Sequence, residues 1–411
     1  MLSTKNTNLE KLMAMKKAAP GTACAQAAES QTAAYAETAA AADQAAAAVL
    51  ASPIRVLAVF GTRPEAIKMA PLVLRLKQDK RFDCKVCVSG QHRELLDSVL
   101  KDFDIVPDHD LNVMKDGQGF AEVAGKVLQG LDDYLNTCIT DIILVHGDTA
   151  TSVAAALCAF YRGIPVAHVE AGLRTGIKTL PFPEELNRQL ISRIADIHFA
   201  PTEGAKTNLI AEGVEEERII VTGNTAIDAI RLMGTGVPKK PARPYAVITC
   251  HRKENIQYHL ADIIGAAAAA AAEFGSMDFI YLMHPSPEVK GIVSQIAVPS
   301  NFIIREPVSY KEMLGLIRGC SFILSDSGGI QEEAPTLGKP VLLTRDVTER
   351  PEAVAAGNVM MVGTDPESIT YSIRVLLTNP EVYKSMSAFS SPYGDGHASD
   401  TIAEILVQCF S

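Results

Sequence analysis

Several apolar runs of this sequence end in side chains that can transfer protons. The runs that share this feature deliver His146 and Asp148 (ILVHGDT), His168 and Glu170 (VAHVEAG), His251 and Arg252 (VITCHRKEN), and Asp326, Ser327 and Glu333 (FILSDSGGIQEE). A single Asp after a strand usually caps a helix. Carboxylates and imidazoles from several strands, together with Arg63 and Lys68, instead form a set that can move protons beside an anion. The sequence therefore predicts an acid/base site next to a bound anion.

Two segments have the composition of phosphate-binding turns. In FGTRPEAIK, Pro64 suits the first position of a helix and Arg63 can point back over the turn. The planar guanidinium group of Arg suits phosphate. In SDSGGIQEE, Gly328 and Gly329 let backbone N–H groups approach a phosphate at a helix N-terminus, where the helix dipole favours negative charge. Two such anion sites suggest one diphosphate ligand that spans a cleft.

The same strand ends permit a different chemistry. His146 and Asp148, like His168 and Glu170, are two residues apart and share one face of a strand. Imidazole and carboxylate groups are common metal ligands. A metal-dependent hydrolase is therefore an alternative on residue chemistry alone.

A parallel sheet must position these residues. From Ile54 onward, runs rich in Val, Ile, Leu and Phe alternate with segments typical of helices. The predicted strands are 55–60, 85–89, 142–146, 165–169, 197–200 and 219–222 in a first series, and 245–249, 279–283, 302–304, 322–325, 341–344 and 359–362 in a second. Near-continuous apolar strands indicate sheets that are covered on both faces. We predict an α/β protein with two Rossmann-like, doubly wound parallel-sheet domains that face a cleft.

Composition predicts the boundaries between these domains. Residues 233–244 are rich in Gly, Pro and Lys, which is typical of a linker. We predict an Ala-rich, weakly ordered N-terminal extension over 1–50, a first domain over 51–235, a second over 236–375, and helices over 376–411 that can cross back onto the first domain. The alanine run 265–272 is expected to form a well-packed crossover helix.

Overall composition narrows the class of protein. The net charge of -10 argues against non-specific nucleic-acid binding, although a local basic pocket remains compatible with it. No stretch reaches the roughly 18 apolar residues of a membrane helix, and the start of the chain lacks a secretory hydrophobic block. Cys84 and Cys87 have CxxC spacing but fall in a predicted strand, where residues three apart point to opposite faces. We predict a cytoplasmic protein without a cysteine metal or redox site.

Longer motifs carry a specific resemblance. The runs FGTRPEAIKMAPL, VHGDT, HVEAGLRTG, FPEELNR, TGNTAIDA, CHRKEN, SDSGGIQEEAPTLGKPVLLTRDVTERPEAV and PYGDG follow one another in this order. Together they resemble the non-hydrolysing UDP-N-acetylglucosamine 2-epimerase family, from residue 55 to the C-terminus. The resemblance implies a glycosyltransferase-B-like fold whose second domain binds the nucleotide. It also implies reversible conversion of UDP-N-acetylglucosamine to UDP-N-acetylmannosamine through 2-acetamidoglucal, without NAD, metal or another cofactor.

The resemblance also implies roles for individual residues. Asp148, Glu170 and Glu184 match the acid/base carboxylates of the family, and His251 matches the His that helps UDP depart. The residues that match the nucleotide side are Arg63, Lys68, Ser327, Gly328, Gly329, Glu333 and Arg350. The residues that match part of a second, activating UDP-N-acetylglucosamine site are Gln91, Glu94 and His284. On the sequence alone, any of the three carboxylates can remove the proton.

Partners follow from the same resemblance. It implies a homodimer that binds UDP-N-acetylglucosamine and UDP, has no nucleic-acid or membrane partner, and supplies cell-surface polysaccharide synthesis. Three alternatives stay open: a hydrolysing epimerase, a sugar transferase with a similar two-domain cleft, and a catalytically silent UDP-sugar sensor. The presence of all three carboxylates disfavours the sensor, which needs only the nucleotide-binding groups.

Overall fold

The computed structural model describes residues 52–90, 93–115, 118–234 and 241–410. The predicted N-terminal extension, Gln91 and residues 235–240 of the predicted linker lie outside these ranges, as does the side chain of Glu94. Within them, no helix is both long enough and apolar enough to cross a membrane.

In the described part of the chain, the first sheet has seven parallel strands in the order β3-β2-β1-β4-β5-β6-β7. They are β1 (Ile54–Phe60), β2 (Phe82–Val88), β3 (His109–Asp110), β4 (Ile142–His146), β5 (Val166–Val169), β6 (Ile197–Ala200) and β7 (Ile219–Val221). The accompanying helices are α1 (Arg63–Gln78), α2 (Arg93–Asp102), α3 (Phe120–Tyr134), α4 (Ala150–Tyr161), α5 (Glu184–Ile194), α6 (Glu203–Ala211) and α7 (Thr225–Leu232). Every residue of β4 is buried, as expected for a strand covered on both faces.

The second sheet, over the same described ranges, has six parallel strands in the order β10-β9-β8-β11-β12-β13. They are β8 (Tyr245–Thr249), β9 (Asp278–Leu282), β10 (Phe302–Arg305), β11 (Phe322–Ser325), β12 (Val341–Leu343) and β13 (Val359–Met361). Its helices are α8 (Lys253–Tyr258), α9 (Leu260–Glu273), α10 (Pro287–Val293), α11 (Tyr310–Gly319), α12 (Gly328–Thr336), α13 (Pro351–Ala355), α14 (Pro366–Thr378) and α15 (Pro380–Met386). In both sheets the strand order reverses beside the first strand of the series, where α/β proteins bind ligands.

The alanine run lies in helix α9 and packs into the core of the second sheet. Ala267, Ala270 and Ala271 are completely buried there. Small side chains combine high helix propensity with close approach to the sheet, so the predicted crossover helix is confirmed.

The last helix, α16 (Ala398–Phe410), packs against α1 and α7 beside the first sheet. Arg75 of α1 donates to Asp400 over 2.9 Å. Asp228 of α7 is fully buried and accepts hydrogen bonds from the N–H groups of Ala398 (3.2 Å) and Ser399 (2.8 Å). One buried carboxylate therefore caps a helix that lies 170 residues further along the chain.

This cap generates a stability prediction. We expect Asp228→Ala to lower the free energy of unfolding by about 2 kcal/mol, because two buried N–H groups lose their acceptor. The matched control is Asp365→Ala, since Asp365 is exposed and caps α14 through the N–H of Ser368. Asp365→Ala should lower the free energy of unfolding by about 1 kcal/mol or less. Urea unfolding of both variants measures the difference, and equal costs would contradict this role of Asp228.

Candidate active site

Two adjacent strands present the first carboxylates. β4 and β5 are paired with His146 opposite Val169, so the residues that follow both strands emerge side by side. Asp148 follows the turn at Gly147, whose φ of 62° favours glycine. Glu170 has a φ of 63°, a conformation that costs a residue with a Cβ on the order of 1–3 kcal/mol. Such strain at a strand end is a feature of functional sites.

Glu170 is surrounded by hydrogen-bond donors and cations. Its Oε2 atom accepts hydrogen bonds from Lys68 Nζ and, over 2.7 Å, from Asn224 Nδ2. Its Oε1 atom lies 3.7 Å from Arg350 Nη2. Burial alone would raise the pKa of Glu170, but the neighbouring charges, that of Lys68 foremost, hold it well below its ordinary value. The surroundings of Glu170 therefore favour its ionised form.

Asp148 and Glu184 form a second acidic pair. Arg188 of α5 contacts Asp148 Oδ2 at 2.6 Å, and Asn187 donates to the Asp148 carbonyl over 2.7 Å. Glu184 is the first residue of α5. Burial, followed by the negative charge of Asp148, raises the pKa of Glu184. This carboxyl group holds a proton more readily than Glu170 does.

The N-terminus of α12 supplies an anion-binding surface on the second sheet. The helix begins at Gly328 with Ser327 as its N-cap residue, and no side chain of the described chain caps it. A Cβ atom at Gly328 would lie 2.7 Å from Arg350 Nη1, so glycine is required for this Arg to lie against the turn. Backbone N–H groups, the helix dipole and a guanidinium group thus converge on one place.

Arg63 and Glu333 lie at the predicted nucleotide side of the same surface. Arg63 at the start of α1 donates to the Val308 carbonyl of the second sheet over 3.1 Å. Glu333 of α12 is only 6% exposed. Burial, and then the charge of Glu332, raises the pKa of Glu333 to about 7.

His251 lies on a turn organised by Asp326. The completely buried Asp326 carboxylate accepts from the N–H groups of His251 (3.0 Å) and Arg252 (2.9 Å) and from Asn255 Nδ2 (3.1 Å). His251 itself is exposed, and its ring centroid is 6.2 Å from that of His284. The Asp326 carboxylate therefore fixes the backbone of this turn, and the turn exposes the imidazole of His251 at the end of β8.

Buried ion pairs connect the two sheets. Lys68 Nζ contacts Glu332 Oε2 at 2.8 Å, and Arg350 Nε donates to Glu332 Oε1 over 2.6 Å. Arg350 also pairs with Glu349, which lies 3.9 Å from Arg188 Nη2. A continuous chain of charges thus runs from Glu170 on the first sheet through the second sheet and back to Asp148.

Glu65 connects the turn after β1 with the turn after β4. Its Oε2 atom accepts from the N–H groups of Gly61 (3.0 Å) and Thr62 (2.8 Å), and its Oε1 atom accepts from Thr149 Oγ1 (2.6 Å). Ser152 Oγ lies 2.9 Å from the same Oε1 atom. Because Arg63 and Asp148 flank these two turns, Glu65 fixes their separation without facing the site itself.

The predicted metal-binding alternative receives no support from these positions. His168 Nε2 lies 2.7 Å from the Gly147 carbonyl, and burial lowers the pKa of His168 to about 3, so its neutral ring donates to that oxygen. Burial also lowers the pKa of His146, to about 4. Over the ranges that the structure covers, no three His, Cys, Asp or Glu side chains are placed to hold a metal ion.

Comparison with known proteins places this site in a family. Residues 74–407 match the sequence model described as UDP-N-acetylglucosamine 2-epimerase. The UDP-N-acetylglucosamine 2-epimerase of Escherichia coli strain K12 is 46% identical over 369 residues, which are 86% of this chain and 98% of the relative. The chain belongs to the UDP-N-acetylglucosamine 2-epimerase family. The predicted family is thereby confirmed.

Solved structures agree with the epimerase family fold. The UDP-N-acetylglucosamine 2-epimerase from Neisseria meningitidis, bound to UDP-N-acetylglucosamine, is 43% identical with a TM-score of 0.81, over 86% of this chain and all of that one. The glycosyltransferase SnogD from Streptomyces nogalater is 14% identical with a TM-score of 0.54, over 87% of this chain and 100% of that one, and shares only the fold. The predicted α/β fold of the glycosyltransferase-B type is confirmed.

The structure brings most of the predicted epimerase residues to one place. The carboxylates at Asp148, Glu170 and Glu184 lie on the first sheet, opposite Arg350 and the start of α12 on the second. Of the predicted activating site, Gln91 and the side chain of Glu94 lie outside the described residues, whereas His284 lies beside His251.

Sequence reasoning missed several residues of this epimerase site. They share buried polar side chains within the quoted motifs and are Glu65, Arg188, Asn224, Glu332 and Glu349. The signal available was their position inside long motifs: FGTRPEAIK, FPEELNR, TGNTAIDA, SGGIQEE and VTERPE each contain one of them.

The position of Glu65 generates a second stability prediction. We expect Glu65→Gln to lower the free energy of unfolding by about 2 kcal/mol, because an amide group would point two hydrogens at a site made of donors. The control is Glu122→Gln, since Glu122 is exposed and pairs only with Lys126 among its described contacts. Thermal unfolding compares the two. A Glu65→Gln variant as stable as the control would show that Glu65 does not connect the turns.

Proposed function

We propose that this chain epimerises C2 of UDP-N-acetylglucosamine reversibly to give UDP-N-acetylmannosamine, without hydrolysis of the nucleotide sugar. The observation that supports this most directly is the placement of three carboxylates on one sheet opposite Arg350 and the α12 N-terminus on the other. The carboxylates suit a sugar carbon that loses and regains a proton, whereas Arg350 and the α12 N-terminus suit a diphosphate. Membership of the epimerase family supplies the substrate.

The first half of the reaction is an elimination. A carboxylate of the first sheet takes the proton from C2, the C1–O bond to UDP breaks, and the electron pair of the C–H bond forms the C1=C2 double bond. The products held between the sheets are 2-acetamidoglucal and UDP. Lys68, Arg350 and the N–H groups at the start of α12 stabilise the charge that grows on the diphosphate as the bond to C1 breaks. His251, at the end of β8, is placed to assist the departing oxygen.

The second half is the reverse addition. A diphosphate oxygen of UDP bonds again to C1, and C2 takes a proton from the opposite face, which inverts that centre. Proton transfer at two faces requires more than one acid/base group, and the site provides Asp148, Glu170 and Glu184. Enclosure between the two sheets keeps water away from the glycal.

Proton NMR in D2O tests this proposal on the purified full chain, with UDP-N-acetylglucosamine and without added metal or NAD. We expect UDP-N-acetylmannosamine with deuterium at C2. UDP with free sugar would instead indicate a hydrolysing epimerase, consumption only with an acceptor sugar would indicate a transferase, and UDP binding without conversion would indicate a sensor. Asp148→Asn is the matched variant: turnover should be abolished while UDP binding stays measurable, and an active variant would remove Asp148 from the mechanism.

Glu333 generates a pH prediction. Its pKa of about 7 means that the carboxyl becomes a stronger acceptor for ribose hydroxyls as pH rises through neutrality. We expect affinity for UDP-N-acetylglucosamine to increase about fivefold between about pH 6 and about pH 8, over which the diphosphate keeps its charge. Titration calorimetry measures this affinity, and the Asp148→Asn variant is used because it should bind the substrate without converting it. Adding Glu333→Gln should remove the pH dependence, and its persistence would assign the titration to another group.

The remaining assignments rest on the family resemblance and stay predictions. They are a homodimeric state, a cytoplasmic location, supply of UDP-N-acetylmannosamine to cell-surface polysaccharide, and an activating site that includes Gln91, Glu94 and His284. Light scattering of the purified chain tests the first, and a monomeric mass would contradict it.

A further inference from the structure

Asn224 lies between Glu170 and the C-terminal segment, and no role described above uses it. The residue is 3% exposed and is the N-cap of α7, where its Oδ1 atom accepts from the N–H of Ala226 over 2.9 Å. A backbone N–H group can only donate, so the oxygen of the amide must face Ala226. The Nδ2 group therefore points at Glu170 and donates to Oε2 over 2.7 Å.

This hydrogen bond distinguishes the two oxygens of Glu170. Oε2 accepts from both Asn224 and Lys68. Among the described residues, the cation that pairs with Oε1 is Arg350, whose Nη2 atom is 3.7 Å away and thus beyond hydrogen-bonding distance. Oε1 thus keeps lone pairs that can receive a proton, while Oε2 is occupied.

Asn224 is held independently of the charged groups around it. Its own N–H donates to the Tyr393 carbonyl over 2.7 Å. The preceding Gly223 has a φ of 82°, and a Cβ atom there would lie 3.0 Å from that same carbonyl oxygen. The amide is neutral, so an anionic substrate that attracts Lys68 and Arg350 exerts no comparable force on Asn224. Its contact with Glu170 therefore persists when the ion pairs rearrange.

From this geometry we propose that Asn224 is a positioning residue for the epimerisation, which holds Oε2 of Glu170 and leaves Oε1 as the oxygen that exchanges the proton with the sugar. The inference rests on the proposed function, because it assigns Glu170 to proton transfer. It adds a residue that acts through Glu170 and does not itself touch the substrate.

Two substitutions separate this role from helix capping. Asn224→Ser keeps an N-cap acceptor for Ala226 but is too short to reach Glu170. We expect its kcat to fall about 10- to 100-fold, as for loss of a hydrogen bond to a charged group, while KM and the Kd for UDP stay within about twofold.

Asn224→Asp is isosteric and also keeps the cap, but it places a carboxylate oxygen against Glu170. The like charge raises the pKa of Glu170, which must be ionised to accept the proton. Activity should therefore be lost at a higher pH as the solution is acidified. The acid limb of kcat, which reports the pKa of the base in the substrate complex, should move upward by about one pH unit.

The control carries the same change at a distant cap. Asn379 is exposed and caps α15 through the N–H groups of Glu381 and Val382, so Asn379→Asp should leave kcat and the pH profile unchanged. A wild-type kcat in Asn224→Ser, a fall in UDP affinity parallel to kcat, or an unmoved acid limb in a folded Asn224→Asp would each overturn the inference. If Asn224→Asp does not fold, as judged by circular dichroism, Asn224→Ser decides alone. Failure of the wild-type chain to epimerise would overturn the proposed function instead.

Discussion

The rest of the site depends on Lys68, whose ammonium group lies between two buried carboxylates from different sheets. It pairs with Glu170 of the first sheet and Glu332 of the second, and the three side chains are almost entirely excluded from solvent. Removing each ion from water costs several kcal/mol, and only close pairing offsets that cost. Deleting one partner leaves an unpaired buried charge, at about 3–5 kcal/mol. These buried ion pairs, together with an apolar core that contains residues of both sheets, fix where the two sheets meet.

The same ion pairs prepare the site for an anion. Glu332 pairs with both Lys68 and Arg350, the two cations that we propose to bind the diphosphate. Burial raises the pKa of Glu332, although Arg350 and Lys68 oppose that effect. A diphosphate that shares these cations weakens their hold on the carboxylates. We therefore expect the substrate to raise the pKa of Glu170 as it binds, towards the basicity that removal of a carbon-bound proton requires.

Local sequence signals predicted the sheets well because buried parallel strands are recognisable from single runs. The predicted strands at 142–146, 197–200, 245–249 and 322–325 coincide with the observed ones, and the others are present with ends shifted by one to three residues. β3 was missed. Its two residues, His109 and Asp110, carry no apolar pattern and form a strand only through pairing with β2.

Residues at strand ends could also be predicted from sequence, because the same run contains both the strand and the Asp or Glu that follows it. The residues that contact them could not be predicted. Asn224 reaches Glu170 across 54 positions, and Glu332 reaches Lys68 across 264. No periodicity encodes such pairs, since they depend on which strands become neighbours and on how two sheets face each other. Their position inside long motifs indicates that they have a role, but it does not show which residue each of them contacts.

The three carboxylates occupy environments that suit different steps of the proposed epimerisation. Glu170 is surrounded by donors and cations that keep it ionised, whereas burial and Asp148 raise the pKa of Glu184. Asp148 itself is held by Arg188, whose charge it shares with Glu349. When the surroundings of two carboxyl groups shift their pKa values apart, the group with the higher pKa holds the proton and the other stays ionised. In the direction from UDP-N-acetylglucosamine, an ionised Glu170 suits the group that accepts the proton from C2. Glu184, whose pKa burial and Asp148 raise, suits the group that returns one, and reversal of the reaction exchanges the two tasks.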